Sequence, residues 1–245
     1  MVHPRFLCAS DAEFQTKYDA TAESYDDSLS WMWRAFSADE DAVRSELIDL
    51  LELESGMRVL ETGCGTGQDS RRILNRIGPD GELFASDLSH GMLCVARRRL
   101  ADDRVRHHIL QGNASYLPFA DSTCDAAFHF GGINTFGERR RAIAEMTRVV
   151  RPGGKVVFGD EGVAPWQRRR LIGKILVNAN SLYAHTPPVA ELPENARDVR
   201  LKWIISNAFY SVDYIVGEAA PPIDLDLPIP GKGDTLRSRY YDGRR

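Results

Sequence analysis

The segment Glu61-Thr62-Gly63-Cys64-Gly65-Thr66-Gly67 places three glycines at alternate positions, after an apolar run and before a helical pattern. Glycine lets the backbone turn sharply and lets a ligand approach with no Cβ in the way. A dinucleotide would need G-x-G-x-x-G, so that its pyrophosphate sits on the next helix N-terminus. Counted from Gly63, the third glycine would fall at 68, where Gln68 stands; counted from Gly65, it would fall at 70, where Ser70 stands. The spacing therefore favours a nucleoside ligand without a pyrophosphate, with a purely structural turn as the alternative. Asp87 closes the next strand-like run. Its carboxylate can accept from both hydroxyls of a ribose, and hydrogen bonds to a charged acceptor are worth about 1.5–3 kcal/mol each. Capping the following helix is the competing role, for which Ser89 is better placed. In Gln111-Gly112-Asn113-Ala114 the amide of Asn113 can donate to and accept from an adenine edge, or serve as a turn asparagine.

Four further residues are candidates for chemistry on a second substrate. His129 ends a strand-like run among apolar neighbours, which also suits a satisfied core histidine. Asn134 follows Gly131-Gly132-Ile133 on a loop expected to face the site. Glu161, with Asp160, ends a strand and can bind an amine, act as a base, or cap a helix. His185 lies near Tyr183 in a proline-flanked segment that equally suits the surface. Trp31, Trp33 and Phe36 can line an apolar pocket or simply pack on the core.

These residues need a frame to hold them. Apolar positions Val43, Leu47, Ile48, Leu50 and Leu51 share a face and predict a helix over 39–53, ended by Ser55-Gly56. Strands are expected at 57–60, 82–86, 105–110, 125–130 and 155–159, and helices from 68, from Ser89 to 100, and over 138–150. Such alternation is the signature of a parallel sheet with helices on both faces. The pattern then changes: 166–180 predicts one long helix, and 199–206 with 209–217 predicts an antiparallel hairpin at the sheet edge around Asn207 and Ala208. The stretch from Pro221 is loop-like. The expected organisation is one integrated domain: a helical cover over 1–55, a ligand-binding core over 56–160, and a substrate-side insertion, hairpin and tail over 161–245.

At 245 residues the chain is long enough to bury one sizeable core. The formal net charge of -4 gives no global reason to expect a polyanionic partner. Three arginine triplets, 97–99, 139–141 and 168–170, read as solvated helix surface, so nucleic-acid binding is not expected. No apolar run reaches the length of a membrane span and no secretory pattern opens the chain, so a cytoplasmic protein with no membrane partner is expected. Cys8, Cys64, Cys94 and Cys124 show no metal-binding spacing and are expected to be free thiols.

Taken together, several motifs resemble class I S-adenosylmethionine-dependent methyltransferases. The 59–67 run is similar to their first motif, and Ser86-Asp87-Leu88-Ser89-x-x-Met92-Leu93 to their second. Gly112-Asn113-Ala114-x-x-Leu117-Pro118-Phe119, followed by Cys124-Asp125, resembles the third and fourth. Glu145-Met146-x-Arg148-Val149-Val150-Arg151-Pro152-Gly153-Gly154 resembles the branch that includes the ubiquinone and menaquinone methyltransferases, as does Tyr18-Asp19-x-x-Ala22-x-x-Tyr25-Asp26 in its cofactor-covering segment. Two positions depart from the family: Asn113 stands where Asp is frequent, and Cys124 where Phe is frequent.

The resemblance implies an α/β fold, a three-layer Rossmann-like sandwich with a mostly parallel seven-stranded sheet and an antiparallel edge hairpin. It implies S-adenosylmethionine as cofactor and no metal. Glu61 would reach the methionine ammonium, Gly63 and Gly65 would pass under the ligand, and Asp87 would hold the ribose. Leu88 would pack on the adenine and Asn113 and Ala114 would meet its edge. Phe130 and Gly131 would lie at the amino-acid end, Met92 would also bind the cofactor, and Tyr18 and Tyr25 would cover it. The expected reaction is methyl transfer to an O, N or C atom of a small molecule in secondary or quinone-like metabolism. A cofactor-using cyclase, a tRNA or protein methyltransferase, and a scaffold that keeps only the fold are the alternatives. The expected partners are the small-molecule acceptor and, at most, a second copy of the chain.

Overall fold

A computed structural model describes residues 7–218; the loop-like stretch expected from Pro221 lies outside the described residues. The elements in chain order are α1 (Ala9–Thr21), α2 (Tyr25–Ala35), α3 (Glu40–Asp49), β1 (Arg58–Thr62), α4 (Gln68–Ile77), β2 (Glu82–Asp87), α5 (His90–Leu100), β3 (Arg106–Gln111), β4 (Cys124–Phe130), α6 (Arg139–Val149), β5 (Val150–Glu161), α7 (Pro165–Arg168), α8 (Leu171–Ala179), β6 (Ala196–Ile204) and β7 (Phe209–Val216). One seven-stranded sheet has the order β3-β2-β1-β4-β5-β7-β6. Strands β1 to β5 pair in parallel, and β7 is antiparallel to both β5 and β6. The chain builds outward from β1 in one direction and then restarts at β4 in the other. That switch opens a crevice above the carboxyl ends of β1 and β4, where open α/β sheets bind ligands.

Alternation along the strands divides the interior. Val59, Leu83, Ala85, Ala126 and Phe128 face helices α3 to α5 in one apolar core. Leu60, Ala127, Val156, Phe158, Val212 and Tyr214 face α6 in a second. A third cluster lies toward the cover: Met32 and Trp33 of α2 meet Val163, Tyr183, Ile205 and Phe209, with Leu176 and Val177 of α8 against them. Trp33 and Phe36 therefore pack in this roof, whereas Trp31 is 65% exposed.

Two segments differ from the sequence expectation. The single helix expected over 166–180 is two short ones, α7 and α8, broken at Arg169-Arg170. A Cβ on Gly173 would lie 2.1 Å from the carbonyl oxygen of Gln167, so α8 folds back against α7 at contact distance. The hairpin turn is longer than Asn207-Ala208 alone. It spans 205–208, closed by Ala208 N–H donating to the Ile205 carbonyl at 3.0 Å. Ser206 and Asn207 at its centre adopt φ of 56° and 63°, the left-handed sense that matches the twist of a tight hairpin.

Candidate functional site

The glycine-rich turn leaves β1 and enters α4. Gly63 and Gly65 adopt φ of 61° and 53°, a region that side chains with a Cβ rarely occupy. A Cβ on Gly63 would sit 2.9 Å from Cε1 of His129, whereas one on Gly65 would meet nothing within 4 Å. Gly63 thus lets the turn press on β4, and Gly65 leaves open space above it. That space belongs to a cleft of about 1000 Å³ at the sheet's carboxyl edge.

Asp87 ends β2 on the cleft wall. Its Oδ2 accepts from the Gly65 N–H at 2.8 Å and its Oδ1 from the Ser89 N–H at 2.8 Å. A carboxylate has about four acceptor sites in all, so these two bonds leave it capacity to accept more. Burial lifts the Asp87 carboxyl above the usual range, and the backbone donors of Ser89, Gly65 and Leu88 oppose it. Capping of α5 falls to Ser89, whose Oγ accepts from the Met92 N–H at 3.1 Å.

The helical cover is stitched over this edge by carboxylates. Asp19 Oδ1 accepts from Ser89 Oγ at 2.6 Å and from the Gly91 N–H at 2.8 Å. Asp26 accepts from Thr66 Oγ1 at 2.8 Å and from the Arg99 guanidinium at 2.5 Å. Gln15 donates to the Leu88 carbonyl at 3.0 Å. Tyr18 and Tyr25 meet edge-on with centroids 5.9 Å apart. Burial pushes the Tyr18 hydroxyl up to about 12, and the Tyr25 hydroxyl also rises by burial.

Beside the glycine turn lies a buried ion pair. Arg44 of α3 donates to Asp69 Oδ2 at 2.6 Å and to Glu40 at 2.8 Å. Its guanidinium carbon is 5.6 Å from the ring centroids of both Trp33 and Phe130. Asp69 Oδ1 is buried without a hydrogen-bond partner among the described residues. Burial lifts the Asp69 carboxyl, and the Arg44 charge pulls the other way. Both side chains line the cleft.

Of the residues expected to bind the cofactor, Tyr18, Tyr25, Gly63, Gly65, Asp87, Leu88, Met92, Asn113, Ala114, Phe130 and Gly131 all line the cleft. Glu61 does not. It is 2% exposed, accepts from Ser70 Oγ at 2.5 Å, and is held well above the carboxylate range by burial and then by Asp69. The charged groups at that end of the cleft are Arg44 and Asp69 instead. Asn113 lines the wall, but its amide donates to Asp11 at 2.9 Å and accepts from the Ser115 N–H at 2.9 Å. It ties α1 to the loop after β3.

The acceptor-side candidates separate. His129 lies on the cleft wall, 1% exposed, with Nδ1 2.7 Å from the Thr62 carbonyl. Nδ1 must carry the proton to make that bond, so Nε2 is an acceptor, and it has no partner among the described residues. Burial lowers the His129 pKa and keeps the ring neutral. Asn134, expected to face the site, is spent on bracing: it donates to the Glu161 carbonyl at 2.7 Å and accepts from Tyr210 at 3.0 Å. Glu161 and His185 also lie off the cleft wall. The Glu161 carboxyl is raised by burial and then by Asp160, and the His185 carbonyl accepts from Arg168 at 2.5 Å. Asp160 does not cap α7; it receives the Gly132, Asn134 and Glu161 N–H groups and shapes the turn after β4.

Sequence reasoning missed Arg44 and Asp69. Arg44 shares the apolar face of α3 with Leu47 and Ile48. A cation at that position demands a buried partner, and this was its available signal. No group of three or more metal-ligating side chains occurs among the described residues.

Residues 59–154 match a protein family described as a methyltransferase domain. The chain is 34% identical over 142 residues to a ubiquinone/menaquinone biosynthesis C-methyltransferase of Bordetella parapertussis, covering 58% of this chain and 51% of that protein. A demethylmenaquinone methyltransferase of Halalkalibacterium halodurans is 33% identical over 117 residues, covering 47% of this chain and 48% of the relative. The chain thus spans about half the length of the curated relatives it matches. A Haemonchus contortus phosphoethanolamine N-methyltransferase solved with S-adenosyl-L-methionine superposes at a TM-score of 0.62 and 15% identity, covering 82% of this chain and 60% of that one. A methyltransferase from Aquifex aeolicus superposes at 0.53 and 18% identity, covering 71% of this chain and 89% of that one. At these identities the structural likeness establishes the fold.

Proposed function

We propose that this chain, whose residues 59–154 match a family described as a methyltransferase domain, transfers the methyl group of S-adenosylmethionine to an O, N or C atom of a small molecule. Asp87 carries the reading. Its two oxygens are fixed by backbone N–H groups of the glycine turn and of Ser89, and the carboxylate lines the cleft with acceptor capacity to spare. That arrangement suits the paired hydroxyls of a ribose. The opposite end suits a zwitterion: the Arg44 guanidinium for a carboxylate, and the unpartnered Asp69 Oδ1 for an ammonium. Leu88, Met92 and Ala114 supply apolar wall for a base between these ends. The residues present therefore fit the cofactor.

When bound, the cofactor supplies an already activated methyl group. The chain's task is to align the reactants and exclude water. Tyr18 and Tyr25 in the cover serve the second need. His129 Nε2 is the buried, unpartnered ring nitrogen on the wall, and it can take a proton if the acceptor must lose one. The names of the curated relatives support a quinone-like acceptor.

Calorimetry with S-adenosylmethionine and S-adenosylhomocysteine tests the reading. Binding of both is expected, and binding of neither would refute it. Asp87→Ala should weaken binding by at least about a hundredfold, since two hydrogen bonds to a charged acceptor are lost at about 1.5–3 kcal/mol each. Its circular dichroism should be unchanged; unaltered affinity would remove the ribose assignment. Product mass then separates methylation from other chemistry on the same cofactor.

A further inference from the structure

The surface around α7 and α8 is unlike the rest of the molecule. Between Glu161 and Glu191 the chain has no Asp or Glu, yet it carries Arg168, Arg169, Arg170 and Lys174. Elsewhere acids predominate, and the whole chain has 35 Asp and Glu against 31 Lys and Arg. Arg168 is tied down by the Val163 and His185 carbonyls. Arg169, Arg170 and Lys174 are exposed, and no described side chain forms an ion pair with them.

The same segment exposes large apolar side chains. Leu171, Ile172 and Ile175 of α8 are 76%, 54% and 56% exposed, and Trp166 of α7 is 55% exposed. Residues 171, 172 and 175 share one helix face by their spacing. Leu176 and Val177 point the other way, into the cluster of Trp33, Tyr183 and Phe209. The outward face is therefore surplus to the packing that holds α8. Trp166 meets Trp203 of β6 edge-on at 5.9 Å. Trp203 shares its face of β6 with the exposed Leu201 by the alternation of a strand. The apolar surface thus reaches from α8 to the edge of the sheet.

We propose that this face docks on an anionic lipid bilayer, with α8 lying in the plane of the interface. Apolar side chains beside unpaired Arg and Lys are the composition that binds such a surface: the apolar groups enter the acyl boundary and the cations meet the headgroups. No described helix is long and apolar enough to cross a membrane, so the attachment is peripheral. The proposal departs from the expectation that the chain has no membrane partner. A second copy fits this face less well. A two-fold interface would set each residue against its own symmetry-related patch, placing Arg169, Arg170 and Lys174 of both copies together. The proposal does not depend on the identity of the methyl acceptor.

Flotation of the full chain with phosphatidylcholine vesicles, with and without phosphatidylglycerol at about one-third, tests it. Binding to the mixed vesicles alone is expected, weakening as salt rises. Replacing Arg169, Arg170 and Lys174 by Gln should lower partitioning about a hundredfold, at about fivefold per cation. Ile175→Glu should abolish it. None of these residues lines the cofactor cleft, so cofactor affinity should be unchanged in the Gln variant. Failure of the unaltered chain to bind mixed vesicles overturns the proposal. So does equal binding to neutral vesicles, or a dimer in sedimentation velocity that Ile175→Glu dissociates.

Discussion

Arg44 and Asp69 show how one buried charge obliges another. A guanidinium on the apolar face of α3 is tolerated because Asp69 and Glu40 meet it and the rings of Trp33 and Phe130 flank it. Removing one member of a buried pair leaves the other uncompensated, which costs about 3–5 kcal/mol. Arg44→Met should therefore destabilise the chain by that order in urea denaturation. Asp69→Asn should cost less, because Arg44 keeps Glu40 at 2.8 Å. The double variant Arg44→Met/Asp69→Leu should recover most of the stability lost in Arg44→Met, while cofactor affinity stays weak. A double variant as unstable as Arg44→Met would refute a desolvated pair. This site was only partly legible in the sequence. Asp87 could be read because its acceptor role follows from its place after a strand. That Asp69 rather than Glu61 lines the cleft could not, because it depends on Ser70 donating to Glu61 and on an arginine in another helix.

At the scale of elements, the cover is attached by a few directed bonds. Asp11 is the sole buried residue of α1, so little apolar burial holds that helix down. Its fastenings to the cofactor edge are Gln15, which donates to the Leu88 carbonyl, and Asp19, which receives Ser89 Oγ and the Gly91 N–H. Gly91 makes room for it, since a Cβ there would lie 2.9 Å from the Asp19 carbonyl oxygen. Asp19→Ala should therefore speed cofactor dissociation about tenfold, the effect of losing about one such hydrogen bond. Thermal stability should barely move. Stopped-flow displacement measures the rate, and an unaltered rate would mean that the cover does not gate the site. The same contrast explains which elements the sequence revealed. Strands β1 to β5 and their helices announce themselves by local periodicity and turn residues. The helical cover was expected as well, but its attachment was not legible, because its bonds join positions about 70 residues apart. The corner between α7 and α8 was equally hidden, since Gly173 acquires its meaning only when the Gln167 backbone is against it.

Across the whole molecule, buried ionisable groups fix how stability responds to pH. Burial raises the carboxyls of Glu61, Asp87 and Glu161. Stability from a raised carboxyl is fully present below its unfolded pKa, about 4, and is lost as pH rises through the folded value. Burial lowers His129, whose contribution is present above its unfolded pKa of about 6.5 and is lost as pH falls through the folded value. Asp26 and Glu145 are lowered, through Arg99 and Arg148 against the opposing effect of burial, and contribute above about pH 4. From about pH 4 to 6.5 the histidine and the raised carboxyls oppose one another. Above about 6.5 the histidine is neutral in both states, and the raised carboxyls act alone. The ligand-free chain should therefore melt lower at pH 8 than at pH 6.5, with each kcal/mol worth about 2–4 °C. Glu61→Gln should flatten that slope, because an amide keeps an acceptor for Ser70 and has no charge to bury. Differential scanning calorimetry at both pH values measures this directly. A melting temperature that holds or rises toward pH 8 would mean that these carboxyls are ionised without penalty, and that the interior beneath the cleft is better solvated than its packing implies.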